Sequence, residues 1–145
     1  MSIQYAVDWN GAGAAHPNHH FETYNFLLDP LILIKELSDL FKDADQALIL
    51  LQEHARTQLY EVRVGDDLNN EENKLPRSDI DDGTSKWEDF NAFKFSKDSL
   101  ELLFAPYQVA AYVFGPQFAS VPLSILAPLM RPEFVSAMYL DHLVR

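Results

Sequence analysis

The chain has 145 residues, 48% of them hydrophobic, and a formal net charge of −11. That is the size and apolar content of one domain with its own core, not of a disordered chain. Its acid excess repels nucleic-acid phosphates and anionic membrane surfaces, and the lack of cysteine excludes disulfide scaffolds, cysteine-ligated zinc and thiol nucleophiles.

From the N-terminus, "SIQYAVDW" alternates, which predicts a half-buried strand with Ile3, Tyr5, Val7 and Trp9 on one side. "GAGAAHPNHH" reads as a loop. "FETYNFLL" alternates again, predicting Tyr24, Phe26 and Leu28 inward and Thr23, Asn25 and Leu27 outward. The two runs are expected to pair antiparallel. Asp29-Pro30 has the form of a helix start, cap followed by first-turn proline, so "LILIKELSDLFK" is expected to be helical. Asp43, with Gln46 three residues on, opens a second helix. Its apolar face is Ala44, Ala47, Leu48, Leu51, Ala55 and Leu59, with Leu50 off it.

Gly65 to Ser85 is polar, acidic and broken by Gly and Pro; it predicts a long loop with a short helical turn near Leu68 to Lys74. Two strands follow around "SKDS", with Phe90, Phe93 and Phe95 before it and Leu100, Leu102 and Phe104 after it. "QFASVP" is a further strand anchored by Phe118 and Val121. "LSILAPLM" is a short helix ending near Pro128, and "PEFVSAMYLDHL" is a last amphipathic helix. The element order predicts a single domain over residues 1–145, of α+β class, with a mainly antiparallel sheet and helices packed on one face. No apolar run approaches the roughly 20 residues that span a bilayer, so no membrane insertion is expected. The N-terminus lacks the basic and apolar regions of a signal peptide. The chain is therefore read either as cytosolic or as a mature or truncated form of an exported protein.

Two stretches carry a resemblance. The first comprises Gly13, Ala14, Ala15, His16, Pro17 and Asn18, then Tyr24, Asn25, Phe26 and Leu28, with "LSDLF" at Leu37 to Phe41. The second comprises Asp98, Phe104, Pro106, Tyr107, Ala110, Tyr112, Gly115, Pro116, Val121 and Pro122. In this order they resemble a bacterial domain of unknown function found at the C-terminus of RsiV-type anti-sigma factors and in envelope polysaccharide deacetylases. Ser99 departs from the family's turn glycine, and "PLILI" from its polar turn. The chain begins almost at the first motif, so N-terminal strands of a full-length protein are expected to be missing. The resemblance implies a non-catalytic, extracytoplasmic module that binds a protein, lysozyme in the RsiV-type case, or a cell-wall glycan. The alternative it leaves is an accessory fragment of a cell-wall hydrolase or deacetylase, and a cytosolic protein that kept only the fold is a third reading.

The residues themselves point to binding more than to catalysis. His16, His19 and His20 lie close enough in sequence to ligate zinc or nickel, but the favoured reading is that His16 and Asn18 shape the loop, with no metal and no cofactor. The acidic runs lack EF-hand spacing. Ser96, Ser99, Ser120 and Ser124 lack a nucleophile elbow, so no catalytic residue is assigned. What remains is the aromatic stretch from Phe104 to Pro122. Tyr107, Tyr112, Phe114 and Phe118 are its candidate ligand-binding residues, able to stack on a sugar or anchor a protein. Most of this hook is expected to close the core, with the tyrosines staying partly exposed.

Overall fold

The computed structural model describes residues 1–64, 70 and 73–144. Strands β1 (Ser2–Trp9), β2 (Asn18–Leu28) and β3 (Leu31–Ile34) form one antiparallel sheet in that order. Strands β4 (Phe93–Phe95), β5 (Ser99–Phe104) and β6 (Gln117–Pro122) form a second. The helices are α1 (Ala44–Leu59), α2 (Arg77–Asp82), α3 (Leu123–Leu126) and α4 (Pro132–Ala137), with short 3-10 turns between elements. This is an α+β fold whose antiparallel strands are divided between two sheets.

The helix expected from Asp29 is absent. Asp29 and Pro30, joined by a cis peptide bond, form the turn between β2 and β3. "LILI" runs back along β2, pairing Phe26 with Leu33 and Leu28 with Leu31. Two β-branched isoleucines in four residues suit a pleated strand, and sheet pairing overrides the local cap signal. Helix then appears only as a 3-10 turn at Leu37–Leu40.

The two faces of β2 are also the reverse of the sequence expectation. Asn25 and Leu27 are buried, whereas Tyr24 and Leu28 are exposed. The cause is polar. Asn25 donates from Nδ2 to the Phe93 carbonyl (2.8 Å) and accepts from the Ser2 hydroxyl (2.6 Å). The Ser2 and Thr23 hydroxyls accept the Phe95 and Phe93 backbone N–H groups (2.9 and 3.2 Å). The face carrying Ser2, Thr23 and Asn25 thus docks on the β4 edge of the second sheet, satisfying main-chain groups that would otherwise be buried without partners. The opposite face, rich in large apolar side chains, is left outward.

α1 covers the second sheet. The Asp43 carboxylate accepts the Gln46 N–H at 3.0 Å as its N-cap. Ala47, Leu51, Ala55 and Leu59 recur every four residues and are fully buried. Leu50 is half-buried against the core, and Ile49 is the exposed one. β6 is an edge strand, and α1 caps that edge with a side-chain amide. Gln58 accepts the Ser120 N–H (3.0 Å) and donates to the Ser120 carbonyl (2.8 Å), as a neighbouring strand would. In β6, Gln117, Ala119 and Val121 point inward, so Phe118, expected as an anchor, faces out.

The acidic stretch is only partly loop. Its helical turn expected near Leu68 to Lys74 lies largely outside the described residues. Its second half contains α2, and Leu75, Ile80 and Thr84 are buried. Arg56 of α1 donates to the Thr84 hydroxyl (2.8 Å) and the Asp81 carbonyl (3.0 Å). Tyr60 donates its hydroxyl to the Asp81 carboxylate, and this bond is the main cause of a phenol pKa raised above its ordinary value; burial and the Asp81 charge add to it, while Arg56 and Arg77 oppose it. The raised pKa means this contribution is complete below the ordinary tyrosine range and is lost as pH rises through the folded-state value.

Candidate binding site

The aromatic hook between β5 and β6 divides its side chains. Val109 and Ala110 turn inward and are buried, closing the core over α2. Gln108 anchors that turn by donating to the Asp89 and Gly83 carbonyls (2.7 and 3.2 Å). Tyr107 and Val113 turn outward and are exposed, Tyr112 is half-buried, and Phe114 packs partly against the core. Phe118 lies on the outer side of β6, its ring 5.9 Å from that of Phe21. The four candidate residues are therefore not one surface. Tyr107 and Tyr112 belong together (centroids 5.4 Å apart), Phe118 pairs with β2, and Phe114 is structural.

The tyrosines meet the histidine loop. Nδ1 of His16 lies 3.1 Å from the Pro17 carbonyl, which can only accept, so Nδ1 carries the proton. In the neutral ring Nε2 then accepts from the Tyr107 hydroxyl at 2.9 Å. The His16 ring stacks on Tyr112 at 3.9 Å between centroids. His19 contacts the Asp8 carboxylate through Nδ1 and the Tyr112 hydroxyl through Nε2 at 2.8 Å. In the neutral tautomer this is a chain from Tyr112 to His19 to Asp8. It fastens the adjoining ends of β1 and β2 to the hook, and the His16–Tyr107 bond, between residues 91 apart in sequence, fastens the β1–β2 loop. Clustering in sequence marked the histidines; nothing in the sequence marked the tyrosines as their partners.

This geometry works against a three-histidine metal site. The ring nitrogens of His16 and His19 are engaged, and His20, paired opposite Val7, lies on the other face of the sheet from His19. Among the described residues no group of three or more His, Cys, Asp or Glu side chains converges. Zinc is expected to leave the melting temperature unchanged, since only a ligand that prefers the native state raises it. A dose-dependent rise in a thermal melt, abolished by His16→Ala, would show a site that rearranges these bonds.

Two backbone outliers hold the hook. Tyr107 has φ 73, uncommon for a bulky residue, and Gly115 has φ 68 and ψ −169. A Cβ at Gly115 would meet nothing within 4 Å. The glycine is there for its conformation, not for space. Gly115→Val is therefore expected to cost at least about 1–3 kcal/mol in a denaturant titration. Loss of only a few tenths would mean the turn adopts another path.

The second candidate surface is the outer face of the first sheet. The register sets Ile3 opposite Tyr24, Tyr5 opposite Glu22, Phe26 opposite Leu33 and Leu28 opposite Leu31. Directly opposed residues share a face, so Ile3, Tyr5, Trp9, Tyr24, Leu28 and Leu31 all point the same way. Trp9 is 61% exposed, Leu28 63% and Leu31 71%. The predicted apolar side of β1 is thus correctly composed but lies outward; its burial in a core is the part the structure overturns. β1 is an edge strand carrying neither Lys nor Pro, the devices that commonly blunt such edges. Residues 2–34 contain no Lys or Arg at all, while Asp8, Glu22 and Asp29 are acidic.

A family model described as a protein of unknown function, DUF3298, matches residues 38–124. The chain is similar in structure to a member of that family from Bacteroides fragilis, with a TM-score of 0.60 and 16% sequence identity over 94% of this chain. It spans about half of that protein, 52% of its length. No curated protein matches. Among the described residues no helix is long and apolar enough to cross a membrane.

Proposed function

We propose that this chain, which belongs to the DUF3298 family of proteins of unknown function, is a non-catalytic protein-binding module that works outside the cytoplasm. The observation that carries the reading is the outer face of β1–β3, where large aliphatic and aromatic side chains stand exposed on one side of a sheet whose edge is open. Exposed apolar surface of this extent marks an interaction site. Its chemistry favours a protein over a glycan: Leu28, Leu31 and Leu33 offer no hydrogen bonds to hydroxyls, whereas Tyr5, Trp9 and Tyr24 are the residue types that anchor protein interfaces. Charge selects the partner. Acid groups border the face with no Lys or Arg in residues 2–34, within a chain of net charge −11, so a basic protein is steered towards it. Lysozyme is basic, and it is the partner implied by the resemblance to RsiV-type proteins.

Calorimetric titration with lysozyme tests this. Binding is expected to weaken at high salt, and to fall at least about tenfold in Trp9→Ser, as for loss of a central aromatic anchor. Because Trp9 is exposed, the variant should keep its melting temperature. Absence of heat at about 100 μM, far weaker than stable interfaces of this kind, or equal affinity in Trp9→Ser would defeat the reading.

A further inference from the structure

A separate feature lies on the other side of the first sheet. Between β1–β2 and the hook there is a cleft of about 340 Å³. Its walls are apolar: Phe21, Pro106, Tyr112, Val113 and Pro116. Its polar side chains are Asp8, His19 and His20. Among the described residues no Lys or Arg lines it. Tyr112 lines the cleft, its ring held by the stacked His16 ring and the tilted Tyr107 ring (centroids 3.9 and 5.4 Å away).

We infer that this cleft is a binding site for an organic monocation, an amine or guanidine carried on an apolar stem. The Asp8–His19–Tyr112 chain supports this. In the neutral tautomer the Tyr112 hydroxyl donates to Nε2, and Nδ1–H donates to Asp8. Asp8 is held by the His19 Nδ1–H, and no Lys or Arg pairs with it among the described ion pairs; its side chain is 67% exposed. A carboxylate beside an aromatic side chain, with apolar walls and no Lys or Arg among the described lining residues, suits a cation whose stem is apolar. A sugar fits less well, because the walls supply few hydrogen-bonding groups for its hydroxyls. An inorganic anion is repelled. Pro106 and Pro116 restrict the backbone of the hook wall, which limits the ordering that an occupant has to impose.

The test is an amide-resolved NMR titration with benzamidine, its neutral isostere benzamide, and N-acetylglucosamine. Benzamidine is expected to shift the amides of Asp8, Val113 and Gly115, and to bind about fivefold more tightly than benzamide, as for one partly exposed charge pair. Asp8→Asn keeps an acceptor for His19, so it should retain the fold and the melting temperature while reducing benzamidine to the affinity of benzamide. Equal binding of benzamide, preferential binding of the sugar, or no shift at the three amides with about 10 mM benzamidine, weaker than any useful affinity, would overturn the inference.

Discussion

Gly83→Ala is expected to destabilise the protein by about 3 kcal/mol or more, at the upper end of overpacking costs. A Cβ built on Gly83 would sit 1.9 Å from the Gln108 carbonyl oxygen and 2.9 Å from a Val109 methyl. Backbone cannot swing aside as a side-chain tip can, so the whole hook would have to lift from α2. Gly83 itself has φ −77 and ψ 3, which alanine adopts without strain. The effect therefore isolates close approach from conformational freedom, the reverse of Gly115. Urea titration measures it. A cost under about 1 kcal/mol, within the range of ordinary surface changes, would mean the hook does not seat on α2. Because Tyr107 and Tyr112 ride on the same segment, the variant should also lose the His16 and His19 contacts, visible as altered histidine ring resonances.

Leu51→Ala is the second large effect, about 2–5 kcal/mol, the usual range for emptying a packed core site. Leu51 is fully buried on the face of α1 that also carries Ala47 and Ala55. Those flanking alanines cannot extend to refill the hole, which places the cost in the upper half of that range. Ile49→Ala, on the exposed side of the same helix, is the internal comparison and should cost well under 1 kcal/mol beyond propensity. Similar costs for both would contradict the packing of α1 on β6.

The helix α1 was legible in sequence because its cap, its period and its length agree, and tertiary packing reinforces all three. β5 and β6 were legible as strands from their apolar residues, and β4 only in part: Phe90, read with Phe93 and Phe95, lies in a 3-10 turn (Trp87–Phe90) before the strand. The β2–β3 hairpin was not. Asp29-Pro30 fits a helix start and a turn equally well, and only the pairing of "LILI" with Asn25–Leu28 decides between them. The inversion of β2 turns on Asn25. An asparagine in an alternating strand normally faces water, and here it is buried because β4 offers a main-chain carbonyl that needs a donor. No pattern along one strand carries that information. The same limit applies to the site. The tyrosines and the histidines were each visible as candidates, but their union depends on the β1–β2 loop reaching the hook across the gap between two sheets.

The apolar face of β1–β3 gives the clearest example. Alternation identified Ile3, Tyr5, Val7 and Trp9 as one face, and alternation is silent on whether such a face meets the core or a partner. The polar fastening of the opposite face to β4 answers that for this chain: the first sheet docks through Ser2, Thr23 and Asn25, and its apolar side remains outward.

Amide hydrogen exchange with and without lysozyme tests the central claim most directly, because it locates the contact as well as detecting it. The outward face and open edge predict added protection in β1 and β3, strongest from Ile3 to Trp9, with α1 and α2 unchanged. Protection confined to the hook, or no change in β1 at a lysozyme concentration that saturates any observed binding, would contradict it.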